Sequence, residues 1–119
     1  MTNPNIKTID VHQLKKMMDN DPNLCLIDVR ELEEWQEFHI AKAIHIPKDL
    51  ISSSIAVQFP NKNQPIYLHC KGGVRSLFAA QSLMDLGYQE VYSVEGGIID
   101  WAISGYPIEQ QKKVSEPQF

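Results

Sequence analysis

The 119 residues suit one domain with a real core, and 43% hydrophobic with 22% charged residues is ordinary for a soluble globular chain. A formal net charge of -4 gives no support to nucleic-acid or anionic-membrane binding, and no apolar run approaches the ~20 residues of a bilayer span. MTNPNIKTID lacks a secretory leader's basic and apolar regions, so a cytoplasmic location is expected; two cysteines, with no metal-type spacing, fit neither a disulfide scaffold nor a zinc site.

Short apolar runs alternate with helical patterns along the chain. IKTI (Ile6–Ile9) predicts a first, edge strand. Asp10 caps a predicted helix, VHQLKKMMDN, in which Val11, Leu14, Met17 and Met18 share one face. LCLIDV (Leu24–Val29) is nearly all apolar, as in a strand buried on both faces, and Cys25 within it reads as a small buried hydrophobe. RELEEWQEF predicts a short helix with Leu32 and Trp35 on one side and an acidic, solvated face. AIHI (Ala43–Ile46) predicts a third strand, stopped by Pro47. Lys48 to Val57 predicts a helix with Leu50, Ile51 and Ile55 inward, and PNKNQP a turn.

IYLH (Ile66–His69) predicts a fourth strand that runs directly into Cys70. Ser76 to Leu86 predicts a helix whose apolar face carries Leu77, Ala80, Leu83 and Met84, with Gly87 at its end. VYSV (Val91–Val94) predicts a fifth strand, Gly96-Gly97 a turn, and Ile98 to Ser104 a last helix ended by Gly105 and Pro107. The expected fold is therefore α/β: a three-layer sandwich with a mostly parallel five-stranded sheet flanked by helices. It forms a single domain over 1–119, with its core at about 6–108 and a polar tail, 109–119, expected to fray.

HCKGGVRS, His69 to Ser76, carries the chemistry. In parallel sheets the binding crevice lies beyond the carboxyl ends of the strands, where Cys70 falls. The orphan N–H groups of the following helix favour a thiolate there, and Lys71 and Arg75 add positive charge. Gly72 and Gly73, without Cβ atoms, can take positive φ and turn amides inward as an anion-binding nest. Ser76 is expected to cap the helix and to offer its hydroxyl to the sulfur. Successive strand residues face opposite ways, so His69 should point away from the loop. Asp28 and Arg30 end the second strand near the same crevice; capping and an ion pair with Glu34 or another carboxylate is the expected role, with Arg30 a possible support to substrate. His39 is expected to fix the turn before the third strand, and Trp35 and Trp101 to stand in the core or crevice wall.

Three segments in order resemble the single-domain rhodaneses, a sulfurtransferase family. LIDVRELEEWQEFHIAKAIHIP resembles the family's first signature, HCKGGVRS its active loop, and VEGGIIDWAISGYPIE its last signature. Phe38 and Lys42 stand where the family often has glycine. The resemblance implies thiosulfate-type sulfur transfer by double displacement. Cys70 would be the nucleophile that carries a persulfide, and the Lys71, Gly72, Gly73, Val74, Arg75 and Ser76 loop would bind it. Lys71 and Arg75 would draw in an anionic donor such as thiosulfate. The acceptor would be cyanide or a thiol, including one on a protein partner. The resemblance implies no metal or organic cofactor; from charge and hydropathy no nucleic acid and no membrane partner is expected, and a monomer or weak dimer is expected. A regulatory module or partner-fed persulfide carrier is the alternative. A cysteine phosphatase is disfavoured: four residues separate Cys70 from Arg75, against five in the phosphatase pattern H-C-x5-R, and no Walker A motif is present.

Overall fold

The computed structural model describes residues 6–110. Strand β1 (Lys7–Ile9) leads into helix α1 (Val11–Asn20) through a reciprocal cap. Asp10 Oδ1 accepts from the Gln13 N–H at 2.8 Å, and Gln13 Oε1 accepts from the Asp10 N–H at 2.9 Å. Then follow β2 (Cys25–Asp28), α2 (Leu32–Glu37), β3 (Phe38–His39), β4 (Ile44–His45), a 3-10 turn (Lys48–Leu50) and α3 (Ile51–Gln58). The chain continues with β5 (Ile66–His69), α4 (Val74–Asp85), β6 (Val91–Val94), α5 (Gly97–Ile103) and β7 (Glu109–Gln110).

The main sheet has five strands in the order β1-β6-β5-β2-β4, and every pairing in it is parallel. β1 lies at an edge, as expected from its polar Lys7 and Thr8. Alternation along the buried strands divides the core into two layers. Ile27, Ile66, Leu68 and Val91 face α3 and α4 with Ile51, Ile55, Ala79, Ala80 and Leu83. Leu26, Tyr67 and Val94 face α1 and α5 with Val11, Leu14, Ile98 and Trp101. The three-layer expectation is therefore met. β5 is the central strand, so the chain after it emerges at the middle of the sheet's carboxyl edge.

Two local expectations fail. Leu50 is 53% exposed rather than inward. The tighter 3-10 turn breaks the helical phase just before Ile51, which turns Leu50 out while Ile51 and Ile55 stay buried. The tail does not start free at Glu109: Phe38 pairs antiparallel with Gln110, and His39 with Glu109. Each of these strands has two residues, too short for a sequence pattern to reveal. Residues 111–119 lie outside the described part. Among the described residues no helix is long and apolar enough to cross a membrane.

Candidate active site

Cys70 follows the last residue of β5, and its side chain falls on the α4 face of the sheet. The Gly73 N–H donates to Cys70 Sγ at 3.1 Å and the Ser76 N–H at 3.4 Å; Ser76 Oγ lies 3.5 Å from the same sulfur. Cys70 is buried, at 1% exposure. The helix begins at Val74, two residues before its expected start. Gly73 occupies the cap position at φ +109°, so it is the residue that turns the backbone and aims an amide at the sulfur. Ser76, already in the first turn, does not cap; its hydroxyl bonds Ser93 Oγ at 2.7 Å instead. Gly72 does not adopt positive φ, and a Cβ there would stand in open space. Of the six loop residues expected to hold the sulfur, only Gly73 and Ser76 donate backbone N–H groups to the resting thiol.

Arg75 is engaged by a carboxylate of α2. Its Nη1 and Nη2 donate to Glu34 Oε1 and Oε2 at 2.6 and 2.9 Å, a bidentate pair that joins α4 to α2. Lys71 is exposed. Asp28 and Arg30 pair with each other beneath the loop. Arg30 Nη2 donates to Asp28 Oδ2 at 2.8 Å and to the Phe38 carbonyl at 2.7 Å, and Arg30 Nε donates to Asp28 Oδ1 at 3.0 Å. Both side chains are buried, and Arg30 ties the end of β2 to the α2–β3 connection. His69, in register with Asp28, points to that same side and away from the sulfur, as the strand period requires. Burial pushes its pKa down from the ordinary value, against the pull of nearby Asp28. His39 Nδ1–H donates to the Trp35 carbonyl at 2.9 Å, and its ring stacks on Trp35 at 3.7 Å. Trp101 is buried, and its N–H donates to the Pro107 carbonyl at 2.8 Å.

A model of the rhodanese-like domain matches residues 10–104. The chain belongs to the rhodanese-like domain family. Among the relatives of this rhodanese-like chain is the thiosulfate sulfurtransferase GlpE of Vibrio cholerae, 35% identical over 85% of this chain and 92% of that protein. The candidate sulfur carrier YrkF of Bacillus subtilis (strain 168) is 34% identical over 81% of this chain, which spans about half (51%) of that protein's length. A solved rhodanese-like domain protein from Staphylococcus aureus is 34% identical at TM-score 0.74, over 81% of this chain and 91% of that one.

Two features of the rhodanese-like loop were not visible in the sequence. The first is its brace. The Ile98 N–H donates to the Cys70 carbonyl at 3.0 Å and the Ile99 N–H to the Lys71 carbonyl at 3.2 Å, so the first turn of α5 holds the loop from outside. A Cβ on Gly97 would collide with the Cys70 and Lys71 carbonyl oxygens. Gly97 therefore permits the close approach of two backbones, where the sequence suggested only a turn. The second is Ser93 on β6, a buried hydroxyl whose single residue carries no motif signal.

The Arg75 hydrogen bonds, helped by the Glu31 N–H and opposed by burial, hold the Glu34 carboxyl at about 2, against an ordinary 4.5. A carboxyl lowered in the fold stabilises it above the ordinary value and loses that contribution as pH falls through the folded value. The gap in Tm between wild type and Glu34→Gln is expected to be constant above about pH 5.5 and to close between about 4.5 and 2. A gap that persisted at the acid end would mean that Glu34 acts through shape rather than charge.

Proposed function

We propose that this chain is a sulfurtransferase that moves a sulfane sulfur through a Cys70 persulfide. The donor is thiosulfate or a chemically related species, and the acceptor a thiol or cyanide. The observation that carries the reading is the pair of N–H donors converging on Cys70 Sγ at the start of α4. In the first step Sγ, as thiolate, attacks the outer sulfur of the donor. A new S–S bond forms on Cys70, the donor's S–S bond breaks, and sulfite leaves with the bonding electron pair. In the second step the acceptor attacks the outer sulfur, and Cys70 leaves as thiolate. The remaining first-turn N–H groups of α4 have no intrahelical acceptors and are available to the added sulfur. A donor presenting one protruding sulfur suits so buried a nucleophile.

A narrower version, a persulfide carrier loaded by a protein partner, is favoured by one feature of the surface. Val74 and Phe78, one turn apart on α4 beside the loop, are 64% and 51% exposed. Incubation of the reduced protein with thiosulfate is expected to add the mass of one sulfur to the Cys70 peptide and, with cyanide present, to yield thiocyanate. Loading by a protein donor alone would select the carrier version, and loading by no donor would reject both.

Gly97→Ala is expected to push the brace off the loop. Overpacking of this kind costs about 1–3 kcal/mol, and a displaced nucleophile slows transfer by roughly a hundredfold. Urea unfolding and thiocyanate formation check the two effects. A variant with wild-type rates would show that the α5 brace does not set the loop.

A further inference from the structure

Ser93 stands on the α4 face of β6, in a layer otherwise built from Leu68, Val91, Ala79, Ala80 and Leu83. It is 1% exposed and Ser76 is fully buried. A hydroxyl in such a layer is costly unless it is bonded, and the bond it makes is the 2.7 Å contact with Ser76 Oγ. Each hydroxyl has one proton. A sulfur anion can only accept, and a charge-assisted bond is the stronger use of the Ser76 proton. With that proton turned to Cys70 Sγ at 3.5 Å, Ser76 Oγ offers lone pairs, and the Ser93 proton fills one. The reverse order would leave Ser76 Oγ, 3.5 Å from the sulfur, facing an anion with a lone pair.

We propose that Ser93 is a positioning residue of the sulfur site: its hydroxyl donates to Ser76 and thereby commits the Ser76 proton to Cys70. The proposal rests on the reading of Cys70 as the sulfur-bearing nucleophile. The relay acts on the thiolate, before any sulfur arrives, and it polarises the Ser76 O–H toward the charge. Sequence proximity does not reveal it, because Ser93 is seventeen residues from Ser76 and on another element.

The test is the rate at which iodoacetamide alkylates Cys70 in the full chain, followed across pH. Cys25 is buried, and burial lifts its thiol to about 12, so it contributes little to the signal. The informative pair is Ser93→Thr and Ser93→Val, which share a shape and differ by a hydroxyl. None of the substitutions changes the charges around the loop: Lys71 and Arg75 on it, Glu34 of α2 on Arg75, Asp28, Arg30 and His69 beneath, and Glu95 and Asp100 at the start of α5. At about pH 6, Ser76→Ala is expected to slow alkylation roughly tenfold and Ser93→Val roughly threefold, with Ser93→Thr near wild type. As pH rises the rates are expected to converge. Ser76→Ala/Ser93→Val should equal Ser76→Ala alone, since the relay has no other route. Should Ser93→Val not fold, Ser93→Ala takes its place against Ser93→Thr.

Equal rates for Ser93→Val and Ser93→Thr would overturn the proposal, as would additive effects in the double variant. Sulfur loading is measured separately by mass. A protein that alkylates as expected but takes no sulfur would reject the sulfurtransferase reading and leave the relay standing. A protein that loads sulfur with a silent Ser93→Val would do the reverse.

Discussion

Cys70→Ser is expected to lower thiocyanate formation from thiosulfate and cyanide by at least about a thousandfold, and to take no sulfur by mass. Serine keeps the size and the hydrogen-bonding shape of the site, so the Gly73 and Ser76 donors should remain in place. What disappears is the thiolate, the attacking species and the one able to hold a transferable sulfur. Cys25 cannot substitute for it: it lies buried at the start of β2, and its thiol is pushed up to about 12 by burial. The variant should therefore unfold like wild type while being inert. If Cys70→Ser still turned over, the sulfur would be reaching the acceptor by a route that does not involve the loop. A remaining mass increment on another residue would place the nucleophile elsewhere.

Asp28→Ala is expected to be the most destabilising of these changes. Asp28 and Arg30 are buried together, and Asp28 accepts three donors from Arg30: the backbone N–H at 2.9 Å, Nε at 3.0 Å and Nη2 at 2.8 Å. Removing the carboxylate leaves the guanidinium buried with the Phe38 carbonyl as its remaining hydrogen-bond acceptor among the described residues. Breaking one side of a buried pair costs about 3–5 kcal/mol, whereas replacing both sides with apolar groups of similar volume is often neutral. Urea unfolding should show a loss of that size for Asp28→Ala. Asp28→Leu/Arg30→Met should recover much of it. If the double variant fell as far as the single one, the pair would be holding the α2–β3 connection by its hydrogen bonds rather than by mutual neutralisation. A large loss in a domain of ordinary stability leaves little margin, so both variants are best compared at low temperature.

Much of the fold was legible because neighbours in sequence decide it. The capped helix after Asp10, the buried run Cys25–Asp28 and the strand Ile66–His69 all show in short-range patterns of apolar residues, caps and turns. So did the position of Cys70 at a strand end before a helix. The errors lie where geometry is finer than a pattern. The start of α4 moved to Val74 because Gly73, not Ser76, supplies the turn, and a glycine's φ cannot be read from its letter. Leu50 turned outward because a 3-10 turn and an α-helix have different periods. The β3–β7 pair escaped because two residues are too few to show alternation.

By itself the sequence determined the succession of main-sheet strands and helices along the chain, the α/β class, the family resemblance and the place of a cysteine inside an anion-favouring loop. The tertiary structure alone decided which charges and hydroxyls meet that cysteine. Arg75 answers to Glu34, forty-one residues away, so a charge expected at the loop mouth is spent on an ion pair. Ser76 answers to Ser93 on the neighbouring strand, and Gly97 is required by carbonyls of Cys70 and Lys71. The physical reason is common to all three. Local pattern sets the conformation of each segment, but the order β1-β6-β5-β2-β4 decides which segments lie side by side at the carboxyl edge. Contacts made there depend on distances in space that no spacing along the chain encodes.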